Sequence, residues 1–281
     1  MKANIQHKDS VFSLYLSDPK RLIDVYNAVQ GTNYALDTPV EINTLENVLY
    51  KDRINDVSFV LDGKFVVLVE HQSTVCTNMP LRMLMYIGRL YEKMTVGENI
   101  YGSTPIPLPA PEFLVLYNGE ESLPKEQIMS LSDAFEDTPH TNTLELSVKV
   151  INIKYGQNDA ILEKSNTLKD YGFFIYTVQQ YRKEGLPLAD AIHQAVQDCK
   201  RQGIMQEFLE KHASEVENML LHEWNLEEQL KFSEEEGIKK GIEREKFETA
   251  RNLIGLGLDD GVIVKATKLT LEQVEAIRKE Q

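Results

Sequence analysis

The stretch that decides the fold is Asn55-Asp56-Val57-Ser58-Phe59-Val60-Leu61-Asp62-Gly63-Lys64-Phe65-Val66-Val67-Leu68-Val69-Glu70-His71-Gln72-Ser73. Two runs rich in β-branched and aromatic residues flank Asp62-Gly63, a dipeptide typical of a tight hairpin. The pattern predicts strands over 56–61 and 64–72. Side chains alternate along a strand, so Asp56, Ser58 and Val60 form one set, and Val66, Leu68, Glu70 and Gln72 another. Whether these sets share a face depends on the turn. A three-residue connection (Asp62-Gly63-Lys64), with Gly63 left-handed beside a bulge, pairs Leu61 with Phe65 and sets Asp56 opposite Glu70. A strict two-residue turn pairs Asp56 with Val69 and separates the acids. The three-residue connection is the expectation, with His71 on the opposite face.

In that register two carboxylates meet at one end of a half-buried hairpin. Side by side they repel, and without a cation one tends to keep its proton. Mg²⁺ reverses this, because it takes one or two protein carboxylates, keeps several waters and accepts phosphate oxygens as further ligands. It can also lower the pKa of a bound water and neutralise charge on a scissile phosphate. Gln72 could orient the water or hydrogen-bond the phosphate, without the positive charge of a lysine. The competing reading is an ordinary acidic surface hairpin. Against it stands Val66-Val67-Leu68-Val69, a buried-strand sequence whose terminal acids are harder to explain by solvation.

Working outward, Asp18-Pro19 followed by Leu22, Ile23, Tyr26 and Val29 predicts a capped helix ending near Gly31. A strand is expected within 40–50. Asn78-Met79-Pro80 opens a helix to about Met94, with Asn78 as cap and Pro80 in the first turn. Arg82, Tyr86, Arg89 and Lys93 lie along one face of that helix, placed to receive DNA phosphates or else to form a solvated face. Lys51 and Arg53 either extend this basic rim or flank a turn. Pro105, Pro107, Pro109 and Pro111 predict a stiff extended connector. Strands are expected over 113–117 and 144–153, so residues 1 to about 155 read as an α/β core.

Beyond about residue 160 the apolar period becomes helical, through Tyr171, Phe174, Ile175 and Val178, then Leu188, Ala191, Ile192, Ala195 and Cys199. The expected organisation is a core over 1–155, a helical region over 156–235 on or next to it, and a charged helical tail over 236–281. Gly237 and Gly241 mark a helix that is mobile or tightly packed there. Residues 260–281 resemble a helix–turn–helix with Thr270 capping the second helix. Glu272, Glu275 and Glu280 oppose phosphate binding, which favours a packing or dimerising hairpin.

The chain has 281 residues and a net charge of −14, concentrated after residue 100. An acidic chain repels phosphate backbones, so DNA binding needs a local basic face. Two cysteines, no apolar run long enough to span a bilayer and no basic-then-apolar leader pattern indicate a cytoplasmic protein with reduced thiols and no membrane partner. The histidines show no metal-ligand spacing, and no Gly-rich phosphate loop is present.

Asn55-Asp56-x-Ser-Phe, Val69-Glu70-His71-Gln72-Ser73-Thr74 and Asn78-Met79-Pro80-Leu81-Arg82 resemble the recombination-promoting nuclease/putative transposase family of the PD-(D/E)XK superfamily. The likeness continues through Leu116-Tyr117-Asn118-Gly119, Leu131 to Phe135, Asn218 to Trp224 and the Gly-Ile pairs near 240. It implies a restriction-endonuclease-like mixed sheet core flanked by helices, and a Mg²⁺-dependent DNA endonuclease. Asp56 and Glu70 match the metal-binding acids, and Gln72 stands where lysine is usual. Glu46 and Asp9 are both candidates for a further acid. The alternative is a transposon-derived DNA-binding or assembly protein that has lost activity.

Overall fold

The computed structural model describes residues 10–42, 56–71, 76–119, 121–136 and 144–279. Helices α1 (Val11–Tyr15) and α2 (Pro19–Gln30) precede three strands, β1 (Glu41–Ile42), β2 (Asp56–Leu61) and β3 (Lys64–His71). Helix α3 (Met79–Met94) leads to β4 (Ala110–Tyr117), β5 (Glu126–Ser130) and β6 (Ser147–Asn152). Helices α4 (Asp159–Leu162), α5 (Asn166–Lys183), α6 (Leu188–Arg201), α7 (Gln206–Gly255), α8 (Asp260–Thr267) and α9 (Leu271–Lys279) follow. The chain divides into two compact units between His222 and Glu223. No helix among the described residues is long and apolar enough to cross a membrane.

The architecture is mixed α/β. The six strands form one sheet in the order β1-β2-β3-β4-β6-β5. β3, β4 and β6 run parallel, β2 is antiparallel to β1 and β3, and β5 is antiparallel to β6. The register of the β2–β3 hairpin corrects the expectation. Asp62 (φ 49°) and Gly63 (φ 72°) are both left-handed, as a two-residue turn matched to strand twist requires. Leu61 therefore pairs with Lys64, and Asp56 with Val69. Aspartate tolerates this conformation better than most side chains, and the Tyr34 hydroxyl holds Asp62 through its Oδ2 at 3.0 Å.

Helices cover both faces of the sheet. On one, Met79, Met83, Ile87 and Leu90 of α3 pack on Phe113, Val115, Tyr117, Val148 and Val150. On the other, the Tyr26 ring of α2 meets Phe59 edge-on at 6.1 Å, and Lys149 Nζ donates to the Val29 carbonyl at the end of α2 (3.0 Å). Asp24 of α2 caps α5, accepting from Ser165 Oγ (2.6 Å) and Thr167 N (3.0 Å). Gly172 of α5 lies against β6, where an added Cβ would stand 3.0 Å from the Ile153 carbonyl.

Other expectations meet the structure in detail. Asp18 caps α2 through its side chain and left-handed Gly31 ends it, as the spacing predicts. Asn78 occupies the cap position of α3 without a side-chain cap bond. The strand expected within 40–50 is described only as β1, because 43–55 lie outside the described residues. β4 begins at Ala110, so Pro111 belongs to a central strand rather than to the connector. Proline is tolerated there because it lies at the strand's start. Added Cβ atoms at Gly237 and Gly241 meet nothing within 4 Å, so close packing is not the reason for those glycines.

In the second unit, Ala250 and Ile254 of α7 pack with Ile263, Leu269, Val274 and Ile277 of the α8–α9 hairpin. Thr270 caps α9 as expected, accepting from Gln273 N while Gln273 Oε1 accepts from Thr270 N. Burial, reinforced by Asp198 and Asp170, pushes the Cys199 thiol up to about 12, which makes it inert.

Two tests follow from these contacts. Gly172→Ala is expected to destabilise the chain by about 1–3 kcal/mol in urea unfolding, since backbone rather than a flexible side chain blocks the new methyl. Glu112 accepts hydrogen bonds from Tyr26 (2.8 Å), Gln30 (2.9 Å) and Lys64 (2.9 Å). Burial pushes its carboxyl up, but those three bonds outweigh burial and hold it below the usual value. A lowered folded pKa contributes stability at neutral pH that is lost as pH falls through it. Glu112→Gln should therefore cost about 1–3 kcal/mol at pH 7. The gap from wild type should narrow as pH falls below the ordinary glutamate range and through the lowered folded value, where the carboxylate takes up its proton.

Candidate functional site

Because β3, β4 and β6 are parallel, their carboxyl ends (His71, Tyr117 and Asn152) form one edge of the sheet. In open α/β sheets ligands bind at that edge, where neighbouring connections leave toward opposite faces. Such a divergence occurs here. The chain leaving β3 enters α3 on one face, and the chain leaving β6 enters α4 and α5 on the other. β4 lies between them and ends at Tyr117, with Asn118 the first residue beyond it.

The two acid positions reach this edge. Asp56, the first residue of β2, pairs with Val69, and Glu70 pairs with Leu116. By alternation, position 56 falls in the set of Ser58 and Val60, on the α3 side. Position 70 falls in the set of Val66, whose partner Phe59 meets α2. The acids share an edge but the regular ladder does not give them a common face, so the expected facing pair is corrected. Two carboxylates are suitable donors for Mg²⁺, yet the pleat alone does not set them side by side. Gln72, Glu46, Asp9, Lys51 and Arg53 lie outside the described residues. No group of three or more His, Cys, Asp or Glu side chains is placed to hold a metal among the described residues.

The α3 stripe lies wholly within the described residues. Arg82, Tyr86 and Arg89 are all half-buried on one side of the helix, whereas Lys93 is exposed. The Tyr86 hydroxyl donates to Ser58 Oγ at 3.0 Å, and Ser58 is buried two residues from Asp56 on β2. Tyr86 thus ties α3 to the acid-bearing strand. The Tyr91 hydroxyl, farther along, donates to the Pro109 carbonyl just before β4 (2.7 Å). Hence α3 runs from the carboxyl edge of the parallel strands toward their start, and Arg82 lies one turn, about 6 Å, nearer that edge than Tyr86. Neither Arg82 nor Arg89 has an ion-pair partner among the described residues. Partly buried guanidinium groups without a carboxylate leave positive potential for an anion.

One residue at this edge was not singled out by the sequence reading. Asn118 is 2% exposed, and its Nδ2 has no hydrogen-bond partner among the described residues. The asparagines of the neighbouring strand end are satisfied. Asn152 donates to the Leu123 carbonyl (3.2 Å) and accepts from Lys154 N (3.0 Å). Asn158 donates to the carbonyls of Lys125 (3.1 Å) and Asn152 (2.9 Å). The sequence signal was an Asn-Gly pair closing a buried strand, which reads equally well as a turn.

No family model matches the chain, nor does any curated protein or solved structure.

Tyr86→Phe is expected to destabilise the chain by about 1 kcal/mol by removing the hydrogen bond that Ser58 Oγ accepts from it. In a cycle with Ser58→Ala, the double variant should lose less stability than the two single variants summed, as thermal or urea unfolding will show.

Proposed function

We propose that the chain is a metal-dependent DNA endonuclease with a restriction-endonuclease-like core, similar to the recombination-promoting nucleases of the PD-(D/E)XK superfamily. The observation that carries this reading is the union of α3 with the hairpin. The Ser58–Tyr86 bond sets a helix bearing two arginines, neither ion-paired among the described residues, beside the strand that begins with Asp56. A mixed sheet with helices on both faces, and acids at the carboxyl edge of its parallel strands, supports the same reading.

In this reading Asp56 and Glu70 would hold a divalent cation, which requires the chain to leave the regular pleat at the start of β2. Bound Mg²⁺ supplies charge neutralisation at the phosphate and a water of lowered pKa. Gln72 orients the attacking water by hydrogen bonding. Arg82 and Arg89 receive backbone phosphates, and Tyr86 holds the helix that presents them. The basic stripe answers the net charge of −14, because DNA meets a local cationic face on an otherwise repelling surface. The setting is cytoplasmic, with both thiols reduced.

A second reading is favoured by one observation, the register that pairs Asp56 with Val69 rather than Glu70. If the acids never converge, the chain is a DNA-binding or assembly protein without activity. Plasmid nicking separates the two. Wild type should nick supercoiled DNA only with Mg²⁺ or Mn²⁺, and Asp56→Ala should abolish nicking while leaving the melting midpoint unchanged. Absent or metal-independent cleavage by pure wild type overturns the enzyme. Arg82→Ala should weaken binding alike for unrelated DNA sequences and reduce the slope of log affinity against log salt by about 1.

A further inference from the structure

We propose that Asn118 binds the substrate, its carboxamide nitrogen donating a hydrogen bond to a non-bridging phosphate oxygen of the nucleic-acid backbone. The inference rests on the phosphodiester reading above and names a residue that reading does not use. Asn118 is almost wholly buried, yet its amide nitrogen meets no acceptor among the described residues. Burying an amide donor unpaired is costly, and such groups are rare in folded chains. An amide nitrogen donates only, so what completes it must be an acceptor. A phosphate oxygen is an acceptor with no proton of its own to place.

The position of Asn118 gives the same answer independently. It follows the last residue of β4, the strand lying between connections that leave for opposite faces. That crevice is where α/β sheets receive ligands. Leu116, two residues earlier, pairs with Glu70, so Asn118 closes the strand alongside one proposed metal ligand. Its backbone is held in place, because the preceding Tyr117 carbonyl accepts from Ile153 N at 2.8 Å. Asn152 and Asn158 at the adjoining strand end spend their amides on loop carbonyls. Of these three amide nitrogens, that of Asn118 has no acceptor at all among the described residues.

The test uses the full-length chain. In wild-type protein labelled with ¹⁵N-asparagine and assigned through the backbone, saturation with a short DNA duplex in Ca²⁺ should shift the Asn118 carboxamide resonances. Those of Asn152 and Asn158 should stay in place. Asn118→Leu and Asn118→Ser, which remove the donor, should weaken duplex binding by about tenfold or more in fluorescence anisotropy. In Mg²⁺ they should raise KM with little change in kcat. Asn118→Leu should melt no lower than wild type, since it also removes an unpaired buried group.

If wild type binds or cuts DNA while the Asn118 resonances do not move, the inference falls and the endonuclease reading stands. The same holds if both variants bind as wild type does, the amide then being met by a buried water only. If wild type binds without cutting and the resonances shift, catalysis fails and the substrate contact survives. If wild type neither binds nor cuts, both are overturned.

Discussion

Two consecutive left-handed residues, Asp62 and Gly63, govern the rest of the structure. A turn of that kind admits one register, because its twist must match that of the strands it joins. Once Leu61 is set against Lys64, every position of β2 is assigned to a face, and β3 passes the assignment to β4 and β6. Val57, Phe59 and Leu61 are then buried as one set, while Ser58 meets the Tyr86 hydroxyl on the other side. A shift of one residue would exchange these two groups. The buried faces therefore hold the register as firmly as the turn does.

This constraint decides what the acid-bearing edge can do. A regular ladder gives Asp56 to one helix layer and Glu70 to the other. Convergence on one cation requires the chain to leave the regular pleat at the start of β2, where the strand ends and alternation ceases to bind it. The α3 stripe stands on firmer geometry, since its central tyrosine is anchored and its arginines have no carboxylate partner among the described residues. An electrostatic contact of this kind can serve binding whether or not bond cleavage follows.

Much of the fold was legible in the residues. Asp18 with Gly31 bounded α2, the Pro80 start located α3, and Thr270 with Gln273 capped α9, each through a local hydrogen bond or a fixed φ. What sequence could not give was phase. Asp62-Gly63 permits two connections, and the choice between them lies in backbone dihedrals and in the Tyr34 contact, 28 residues away. β5 was missed because Glu126–Ser130 is a short edge strand whose residues remain partly or fully exposed. Pro111 was set outside the sheet because proline usually breaks a central strand, yet at the start of β4 its missing N–H is tolerated. Asn118 was passed over because being buried and unpaired is a property of three dimensions. For the site itself, residue types and spacing were readable in sequence, whereas their sharing of a face was not.

The carboxylate of Asp24 has a consequence for how the chain is made. It caps α5 through groups 141 and 143 residues farther on. Closing so long a loop costs conformational entropy before any contact repays it, and folding slows as such distant pairings accumulate. On the ribosome, Asp24 must wait for Ser165 and Thr167 to emerge before this cap can form. Until then α2, which carries the buried Leu22, Ile23 and Val25, lacks its link to α5, and incomplete packing of this kind invites chaperones and neighbouring nascent chains.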